Sequence, residues 1–263
     1  MSELATLLDF ALDLADRAGR LTLGHFRTGT RPDWKEDATP VTVADRDAET
    51  LIRHEIEKRY PAHAVVGEEF GASDGDAPWR WWIDPIDGTK PFLRGVPTYS
   101  TLIGLERDGE MVAGVAAFPA LGETIAAARG HGCRLNGRRV HVSAESDPAQ
   151  AVVSTTDWGR FAERGRAAAA ERVARAFWIR AGWGDAYGYM LVASGRIEAM
   201  LDPIVAPYDV APFPAILAEA GGRFTSWRGA EDVHAGDGVG VNAGLADTLL
   251  GLLGESDAQT TEP

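Results

Sequence analysis

The sequence predicts an α/β fold in which β-sheets are layered between α-helices. Two amphipathic helical patterns fill most of the stretch before residue 60, and strand-like runs dominate from about residue 81 to 142. After about residue 145, helices and strands alternate. At 263 residues the chain is long enough for two lobes that share one fold. We expect an N-terminal α+β lobe over residues 1–145 and a C-terminal α/β lobe over residues 146–263.

The N-terminal third begins with two helices. Apolar residues at helical spacing, among them Leu7, Leu14 and Ala18, predict a first helix over residues 3–26. A second helix is predicted over residues 43–59, where Ala48 and Ile56 share one face, and it ends before a proline. The run AVVGEE then predicts a short strand that leads into two acids, and the aromatic run WWID predicts another strand.

The rest of the chain shows two hairpin signals and then an alternation of elements. Asp108-Gly109 separates two β-rich runs, and a weaker signal of the same kind stands at Asn136-Gly137. Helices are predicted over residues 160–176, 185–194, 212–220 and 245–254. The strand-like runs QAVVSTT, FWIRA, RIEAML, GRFTSW and GVGVNA lie before and between these helices.

Composition excludes several classes of protein. Asp and Glu outnumber Lys and Arg by 39 to 26, and a net charge of −13 argues against a nucleic-acid partner. An anionic substrate would need local cations, such as metal ions. No apolar run approaches the roughly 18 residues of a membrane span. Cys133 cannot form an internal disulfide and is expected to be a buried, idle thiol. We therefore expect a soluble cytoplasmic protein without a membrane partner.

Several acids are placed where a metal site would need them. Mg²⁺ prefers oxygen ligands, and acids at the ends of strands or the starts of helices can be aimed by rigid elements. Taken alone, the segment DPIDG could be a metal-binding turn or an Asp-capped turn before a helix that begins near Pro91. In the metal-binding interpretation, the Ile86 carbonyl adds an oxygen, and Gly88 frees its own N–H and that of Thr89 for an anion. The candidate acids are Asp45, Glu68, Asp84, Asp87 and Asp209.

Two segments together resemble the signatures of a known family. WWIDPIDGTKPF and YDVAPFPAILAEAGG are similar to the two signatures of the inositol monophosphatase superfamily, and the resemblance runs from about residue 4 to 254. The segments DGTKPFLRGVPTYSTLIGL and WGDAYGYMLVASGRIEAMLDP most resemble the histidinol-phosphate phosphatase branch. The resemblance implies a five-layer αβαβα sandwich of the inositol monophosphatase and fructose-1,6-bisphosphatase type. It also implies two or three Mg²⁺ ions, inhibition by lithium and a homodimer.

The resemblance also implies roles for individual residues. Asp45 would hydrogen-bond Thr89, and both, with Glu68, would orient or deprotonate the attacking water; Asp45 could instead be an ordinary first-turn helix acid. Lys35 lies in a loop, residues 27–41, that in relatives folds over the third metal. The implied metal ligands are Glu68, Asp84, the Ile86 carbonyl, Asp87 and Asp209.

A further set of residues is expected to bind the substrate. Asp202 and Asp185 could accept hydrogen bonds from an imidazole or ammonium on the leaving group, although a polyol would suit them equally. Asp202 could instead be a turn residue before Pro203, and Arg180 a structural ion-pair partner. Lys90 and Arg94 offer positive charge near the phosphate but could be merely solvated. The implied substrate-binding residues are Gly88, Thr89, Lys90, Arg94, Arg180, Trp183, Gly184, Asp185 and Asp202.

These expectations together predict a Mg²⁺-dependent phosphate monoester hydrolase acting by in-line attack of water, without a phosphoenzyme. The sequence lacks the D-x-D-x-[T/V] nucleophile motif. Its literal C-x₅-R match begins at Cys133, which is expected to be idle, and its G-x-S-x-G match, GASDG, lies in a predicted loop rather than at a nucleophile elbow. Histidinol phosphate is the expected small substrate. Inositol 1-phosphate and a nucleotide 3′-phosphate are alternatives, and a catalytically silent metal-binding relative is the non-enzyme alternative.

Overall fold

The larger of two main sheets is built by the N-terminal part of the chain. The computed structural model describes residues 2–29, 31–34, 40–73 and 77–254. Eight strands form this sheet in the order β10-β9-β8-β7-β6-β5-β3-β4, in which only β3 and β5 pair in parallel. Its strands are β3 (Ala64–Gly67), β4 (Gly71–Ala72), β5 (Trp79–Asp87), β6 (Ser100–Arg107), β7 (Glu110–Phe118), β8 (Glu123–Ala128), β9 (Gly132–Leu135) and β10 (Arg138–Arg139).

The smaller sheet is built by the C-terminal part. Its order is β12-β11-β13-β15-β14, with β11 parallel to both β12 and β13 and the other pairs antiparallel. A separate two-stranded ribbon joins β1 (Asp33–Trp34) to β2 (Pro40–Val41). The strands of the smaller sheet are β11 (Val152–Thr155), β12 (Ile179–Ala181), β13 (Ala199–Asp202), β14 (Gly222–Thr225) and β15 (Gly238–Asn242).

Nine α-helices and one 3₁₀-helix occur in the described part of the chain. The short 3₁₀-helix spans Pro148–Gln150. The α-helices are α1 (Glu3–His25), α2 (Val43–Arg59), α3 (Thr89–Arg94), α4 (Arg160–Glu163), α5 (Ala167–Ala176), α6 (Asp185–Ala193), α7 (Pro207–Val210), α8 (Phe213–Ala220) and α9 (Ala246–Gly254).

Alternating side chains on single strands bind the layers together. On β5, Trp81 and Ile83 pack against α1 and α2, whereas Trp82 faces a second core formed with α6 and α8. On β13, Met200 joins that second core, and Leu201 faces a third core with α5 and α9. Side chains alternate between the faces of a strand, so each sheet is covered by helices on both faces. The resulting layers, αβαβα, confirm the predicted fold.

Most predicted elements are confirmed, with shifts of a few residues at their ends. The two hairpin turns have the left-handed backbone that their sequences predict, with φ of 52° at Asp108 and 85° at Gly109, and of 47° at Asn136 and 77° at Gly137. Cys133 is buried, and burial raises the pKa of its thiol to about 12, in agreement with an idle role. No helix in the described ranges combines the length and apolar character required to cross a bilayer.

One helix prediction was wrong. The single helix expected over residues 160–176 is two helices, α4 and α5. Gly165, with φ of 67°, adopts the left-handed conformation that ends a helix. The alanine-rich α5 then begins as a separate helix at Ala167.

Candidate active site

Four of the five predicted acids, Glu68, Asp84, Asp87 and Asp209, meet in a cleft at the carboxyl ends of parallel strands from both sheets. Glu68 follows β3 and Asp87 ends β5, while Thr156 follows β11 and Asp185 follows β12. Ligands commonly bind at this edge of an α/β sheet, because several loops converge there. The cleft has a volume of about 640 Å³. It is lined by Pro40, Glu68, Asp84, Ile86, Asp87, Gly88, Thr89, Lys90, Pro91, Thr156, Asp157, Trp158, Arg160, Gly182, Trp183, Asp185 and Asp209.

A β-bulge in β5 brings Asp84 and Asp87 to the same side. In a regular strand, side chains three residues apart point to opposite faces. Here Asp84 pairs with Leu102 and Asp87 with Ser100, so β5 has one more residue than β6 over this interval. The Thr101 hydroxyl donates to the Pro85 carbonyl at 2.9 Å and supports the bulge. The bulge therefore turns two acids on one strand into a single cluster.

The two carboxylates are held by nearby donors. The backbone N–H of Ile86 donates to Asp84 Oδ1 at 3.0 Å. Asp87 Oδ2 accepts the Ser100 hydroxyl at 3.2 Å and the backbone N–H of Ala186 at 3.0 Å. The last contact comes from α6, so the C-terminal part of the chain helps to orient an acid of the larger sheet.

Asp209 joins this cluster from the short helix α7. Its Oδ2 accepts the backbone N–H of Ala206 at 2.8 Å, at the start of that helix. The α7–α8 corner lies directly on the larger sheet, because two strand positions there are glycines. A Cβ at Gly104 would lie 2.6 Å from the Cβ of Ala211, and one at Gly114 would lie 2.3 Å from the Pro212 carbonyl oxygen. Larger residues at these glycines would push Asp209 away from β5.

The donor set fits a hard divalent cation. One carboxylate oxygen from each of Asp84, Asp87 and Asp209 lies within 4.8 Å of the others. Glu68 and Ile86 line the same cleft. Oxygen donors in such number are the ligands that Mg²⁺ prefers, and a cation would relieve the repulsion among these carboxylates.

Burial and mutual repulsion raise the pKa values of the clustered carboxyl groups. Burial raises the pKa of Asp84 well above its usual range, and the nearby charges of Glu68, Asp87 and Asp209 raise it further. Burial, with Asp185 and Asp209 close by, does the same to the pKa of Asp87. Burial raises the pKa of Asp209 to about 7. Clusters of carboxyl groups with raised pKa values are typical of functional sites.

Asp45 lies behind the cluster and is completely buried. It belongs to a capping box at the start of α2, where its Oδ2 accepts the backbone N–H of Thr42 at 2.8 Å and the Thr42 hydroxyl at 2.6 Å. Burial raises its pKa to about 6. Its Oδ1 is also buried and has no hydrogen-bond partner in the described part of the chain. An unsatisfied buried carboxylate oxygen calls for a partner beyond those that the described residues supply.

The expected hydrogen bond between Asp45 and Thr89 is not formed. The Thr89 hydroxyl instead donates to the Ile86 carbonyl at 3.3 Å, across the turn that leads from β5 into α3. The capping box explains Asp45 Oδ2, which acts as an ordinary first-turn helix acid. It gives no role to Oδ1.

Gly88 allows the chain to turn from strand to helix at the floor of the cleft. Its φ of 79° is left-handed, and α3 begins directly after it at Thr89. In this described segment no side chain caps α3, so the Asp cap of the alternative interpretation is not formed, although a helix does begin near Pro91. The first N–H groups of a helix have no partner within it, and here they lie at the cleft.

The segment expected to contact the leaving group forms one wall of the cleft. Trp183 and Asp185 have left-handed backbones, with φ of 59° and 39°, although neither is glycine. Trp183 is half exposed, and such a conformation is rare for a bulky residue. Gly184 is buried between them, where a Cβ would lie 2.5 Å from the Met200 methyl carbon. Strain of this kind collects at functional sites.

Asp202 lies beneath this wall rather than in it. It is buried and accepts the Thr156 hydroxyl at 2.7 Å. The same hydroxyl oxygen accepts the backbone N–H of Asp185 at 3.1 Å. Burial raises the pKa of Asp202 to about 7. In this structure Asp202 supports the wall through Thr156.

The expected basic residues divide into two groups. Lys90 is exposed and lines the cleft. Arg94 and Arg180 are absent from its described lining, so the expectation that they contact substrate finds no support in the structure. Arg180 instead donates to the Ala174 carbonyl at 2.9 Å, which is a structural role. The expectation for Lys35 lies outside the described residues.

One loop of the cleft was missed by the sequence analysis. Asp157, Trp158 and Arg160 follow β11 and line the cleft beside Thr156. Arg160 lies near Asp185 and Asp209, and its positive charge partly offsets the increase in pKa that burial causes in both carboxyl groups. The signal was available in the predicted strand QAVVSTT, because a loop after a parallel strand lies at the functional edge of its sheet.

Comparison with known proteins agrees with this geometry. The model of the inositol monophosphatase family matches residues 3–258. The histidinol-phosphatase of Chlorobaculum parvum is 41% identical over 252 residues, which cover 95% of this chain and 97% of that one. The histidinol-phosphatase of Streptomyces coelicolor is 38% identical over 253 residues, which cover 92% of this chain and 94% of that one.

Solved structures show the same architecture. The extragenic suppressor protein SuhB of Bartonella henselae matches with a TM-score of 0.88 at 28% identity, covering 95% of this chain and 99% of its own. The match of the family model spans nearly the whole chain and includes every acid of the cleft. The chain therefore belongs to the inositol monophosphatase family.

Proposed function

We propose that this protein is a Mg²⁺-dependent phosphate monoester hydrolase whose substrate is histidinol phosphate. The observation that carries the proposal is the convergence of Asp84, Asp87 and Asp209 within 4.8 Å, beside the left-handed turn at Gly88. Acids in such number would repel a phosphate unless cations lay between them. In this proposal the first amides of α3, at the cleft residues Thr89 and Lys90, donate to the phosphate oxygens.

The metal ligands in this proposal are Glu68, Asp84, the Ile86 carbonyl, Asp87 and Asp209, holding two or three Mg²⁺ ions. Bound Mg²⁺ would supply an activated water and stabilise the charge on the leaving alkoxide. The carboxylates hold their positions through the bulge in β5 and the N–H groups of Ala186 and Ala206. Lys90 adds a positive charge at the rim, which favours the approach of a phosphate.

Glu68, Thr89 and Asp45 orient and deprotonate the water in this proposal. Glu68 lines the cleft beside Asp84. The Thr89 hydroxyl lies at the start of α3, and Asp45 Oδ1 is buried without a partner in the described chain. In this proposal Thr89 hydrogen-bonds the water and Asp45 Oδ1 receives a proton, which requires the Thr89 hydroxyl to turn from the Ile86 carbonyl towards Asp45.

The leaving group is recognised by acidic and aromatic side chains on the C-terminal wall. Asp157, Trp158, Trp183 and Asp185 line this part of the cleft. Carboxylates pair with an ammonium or a protonated imidazole, and indole rings attract both by stacking and cation–π contacts. Identities of 41% and 38% to two histidinol-phosphatases favour the same substrate. Lobe 146–263 thus selects the leaving group, and lobe 1–145 carries most metal ligands.

The proposal extends to assembly and surroundings. We infer a homodimer that acts in the cytoplasm, is inhibited by lithium, and has neither nucleic-acid nor membrane partners. The net charge of −13 supports the exclusion of nucleic acid. Size-exclusion chromatography with light scattering tests the dimer, and a lithium titration of the activity tests the inhibition.

A panel of phosphate monoesters tests the substrate. We expect kcat/KM for histidinol phosphate to exceed the values for inositol 1-phosphate and a nucleoside 3′-phosphate by at least about 100-fold, because specificity is a ratio of these constants. EDTA should abolish phosphate release and Mg²⁺ should restore it. A preference for inositol 1-phosphate would transfer the assignment to the inositol branch. Metal binding without turnover of any ester would identify a silent relative.

A further inference from the structure

A buried carboxylate that the proposed reaction does not use lies behind Glu68. Glu49, on α2, is completely inaccessible to solvent. One turn later on the same helix, Arg53 donates from Nε to Glu49 Oε1 at 2.7 Å, and its side chain is only 12% exposed. A buried carboxylate is costly unless it is paired and hydrogen-bonded, so its neighbours indicate what it does.

Those neighbours are the backbone of the turn that follows β3. Glu49 Oε2 accepts the N–H of Glu69 at 2.7 Å, and Oε1 accepts the N–H of Phe70 at 3.2 Å. The Arg53 guanidinium donates to the carbonyl of Gly71. Two side chains of α2 therefore hold three consecutive residues of this turn.

Gly67, the residue before Glu68, also lies very close to the Glu49 side chain. A Cβ at Gly67 would lie 2.0 Å from Glu49 Oε1, so only glycine allows this close approach. The N–H of Glu68 itself donates to the Ile83 carbonyl of β5 at 3.2 Å. Glu68 is thus fixed through the residues on both sides of it, and its side chain lines the cleft beside Asp84.

Stability alone is a poor reason for this arrangement. β3 and β4 are joined by a short turn at the edge of the sheet, and a buried ion pair usually contributes little net stability, because desolvation offsets its Coulombic gain. A fully hydrogen-bonded buried pair does restrict the backbone to one conformation. Such restriction matters most where a side chain must be placed accurately, as for a metal ligand.

We propose that Glu49 and Arg53 are positioning residues that hold Glu68 in place for a divalent cation. They touch neither metal nor substrate, and they act through the backbone of residues 67–71. The inference rests on the proposed function in one respect only, which is that Glu68 is a metal ligand. Its test therefore measures metal binding without substrate.

The test measures how tightly the metal-free wild-type protein and its variants bind Mn²⁺, which serves as a probe for the Mg²⁺ site. The EPR signal of free Mn²⁺ gives Kd directly. For Glu49→Gln, which has one carbonyl oxygen where the native residue has two acceptors, we expect Kd to rise about 10-fold or more. Glu68→Ala defines the loss expected when the ligand itself is removed.

The matched control is Glu198→Gln. Glu198 is also a buried carboxylate, and it accepts the backbone N–H of Val152 at 2.6 Å and the Ser143 hydroxyl at 2.9 Å. It lies outside the cleft lining of the described chain, so its loss should lower Tm without changing Kd for Mn²⁺. An unchanged Kd in Glu49→Gln, with Tm lowered as in the control, would overturn the positioning role.

A milder variant covers the case in which Glu49→Gln does not fold. Arg53→Lys keeps the charge but loses the forked geometry that reaches both Glu49 and Gly71. We expect it to weaken Mn²⁺ binding in the same direction, with KM for the substrate unchanged. A wild-type Kd in this variant would also refute the proposal. Failure of the wild-type protein to bind Mn²⁺ would instead overturn the proposed metal dependence.

Discussion

Asp84 and Asp87 show how a single extra residue in a strand can create a site. Their spacing of three would place them on opposite faces of a regular strand, one in the core and one in the cleft. The bulge opposite Leu102 and Ser100 rotates the chain so that one carboxylate oxygen of Asp84 and one of Asp87 approach Asp209. The acids were predicted from their type and spacing, whereas the geometry that unites them comes from pairing with β6.

Removal of one of these charges should separate activity from stability. Asp87→Asn keeps the size of the side chain and the hydrogen bonds to one oxygen, but removes a charge from the metal site. We expect kcat to fall by roughly 100- to 1,000-fold, since metal ligation contributes several kcal/mol to the transition state. Tm of the metal-free protein should be equal or higher, because a buried like charge is lost. Steady-state kinetics and calorimetry measure the two effects, and near wild-type kcat would contradict the metal role.

Asp185 should act on substrate choice. It lies on the wall formed after β12, where it faces the leaving group in the proposed function. Asp185→Ala should reduce kcat/KM for histidinol phosphate by at least about 10-fold more than for an aryl phosphate, because only the former carries groups that pair with a carboxylate. Equal losses on both substrates would place Asp185 with the phosphate and metals instead.

At the scale of elements, two glycines on β6 and β7 determine where α7 and α8 lie. Gly114 faces Pro212, whose backbone atoms would lie 2.3–2.7 Å from an added Cβ. Gly114→Ala therefore has to move the α7–α8 corner, at a cost of about 1–3 kcal/mol. Since Asp209 precedes this corner, we expect metal affinity to fall together with the free energy of unfolding. Urea denaturation and Mn²⁺ titration measure both.

The control for this prediction is Gly24→Ala in α1, where an added Cβ meets nothing within 4 Å. Alanine favours a helix over glycine by up to about 1 kcal/mol, so this variant should be as stable as the wild type or more so. Unchanged stability and metal affinity in Gly114→Ala would show that the corner tolerates displacement and would refute the packing argument.

Element prediction succeeded where the chain follows local rules. The helix expected over residues 43–59 is found as Val43–Arg59, since its apolar face and Thr42 cap are encoded locally. The prediction of one helix over residues 160–176 was wrong because the alanine-rich pattern suggests a continuous helix, whereas the chain breaks at Gly165. Helix α7, with four residues, was missed entirely, because so short a helix exists only through its contacts with β5 and β6.

At the scale of the whole molecule, the cleft forms because both sheets present the carboxyl ends of parallel strands to each other. The larger sheet contributes β3 and β5, and the smaller contributes β11, β12 and β13. The helices α6 and α8, packed between the sheets, hold the two edges together. The N–H of Ala186 on Asp87 is a direct link across this junction.

The stability of the metal-free molecule should depend on pH in a defined direction. Burial raises the pKa values of Asp209 and Asp202 to about 7 and that of Asp45 to about 6, above the ordinary value of 3.8. Each raised pKa contributes stability that is present at low pH and is lost as pH rises through the folded value. His63 acts oppositely, since burial lowers its pKa, but it is a single group.

We therefore expect Tm in EDTA to be higher at pH 6 than at pH 8. Because a cation binds deprotonated carboxylates, added Mg²⁺ should raise Tm more at pH 8 than at pH 6. Scanning calorimetry at both pH values, with and without Mg²⁺, measures this. A Tm in EDTA that is constant or rises from pH 6 to pH 8 would contradict the assigned burial of the acids.

The sequence by itself determined the layered α/β class, the family resemblance, and the acids that a metal site needs, because periodicity and residue type act locally. Only the tertiary structure decided that a bulge aligns Asp84 with Asp87, that Arg160 belongs to the cleft, and that Thr89 contacts Ile86 rather than Asp45. These arrangements depend on strand register and on packing between elements distant in the chain, and a local pattern does not encode where two such elements meet.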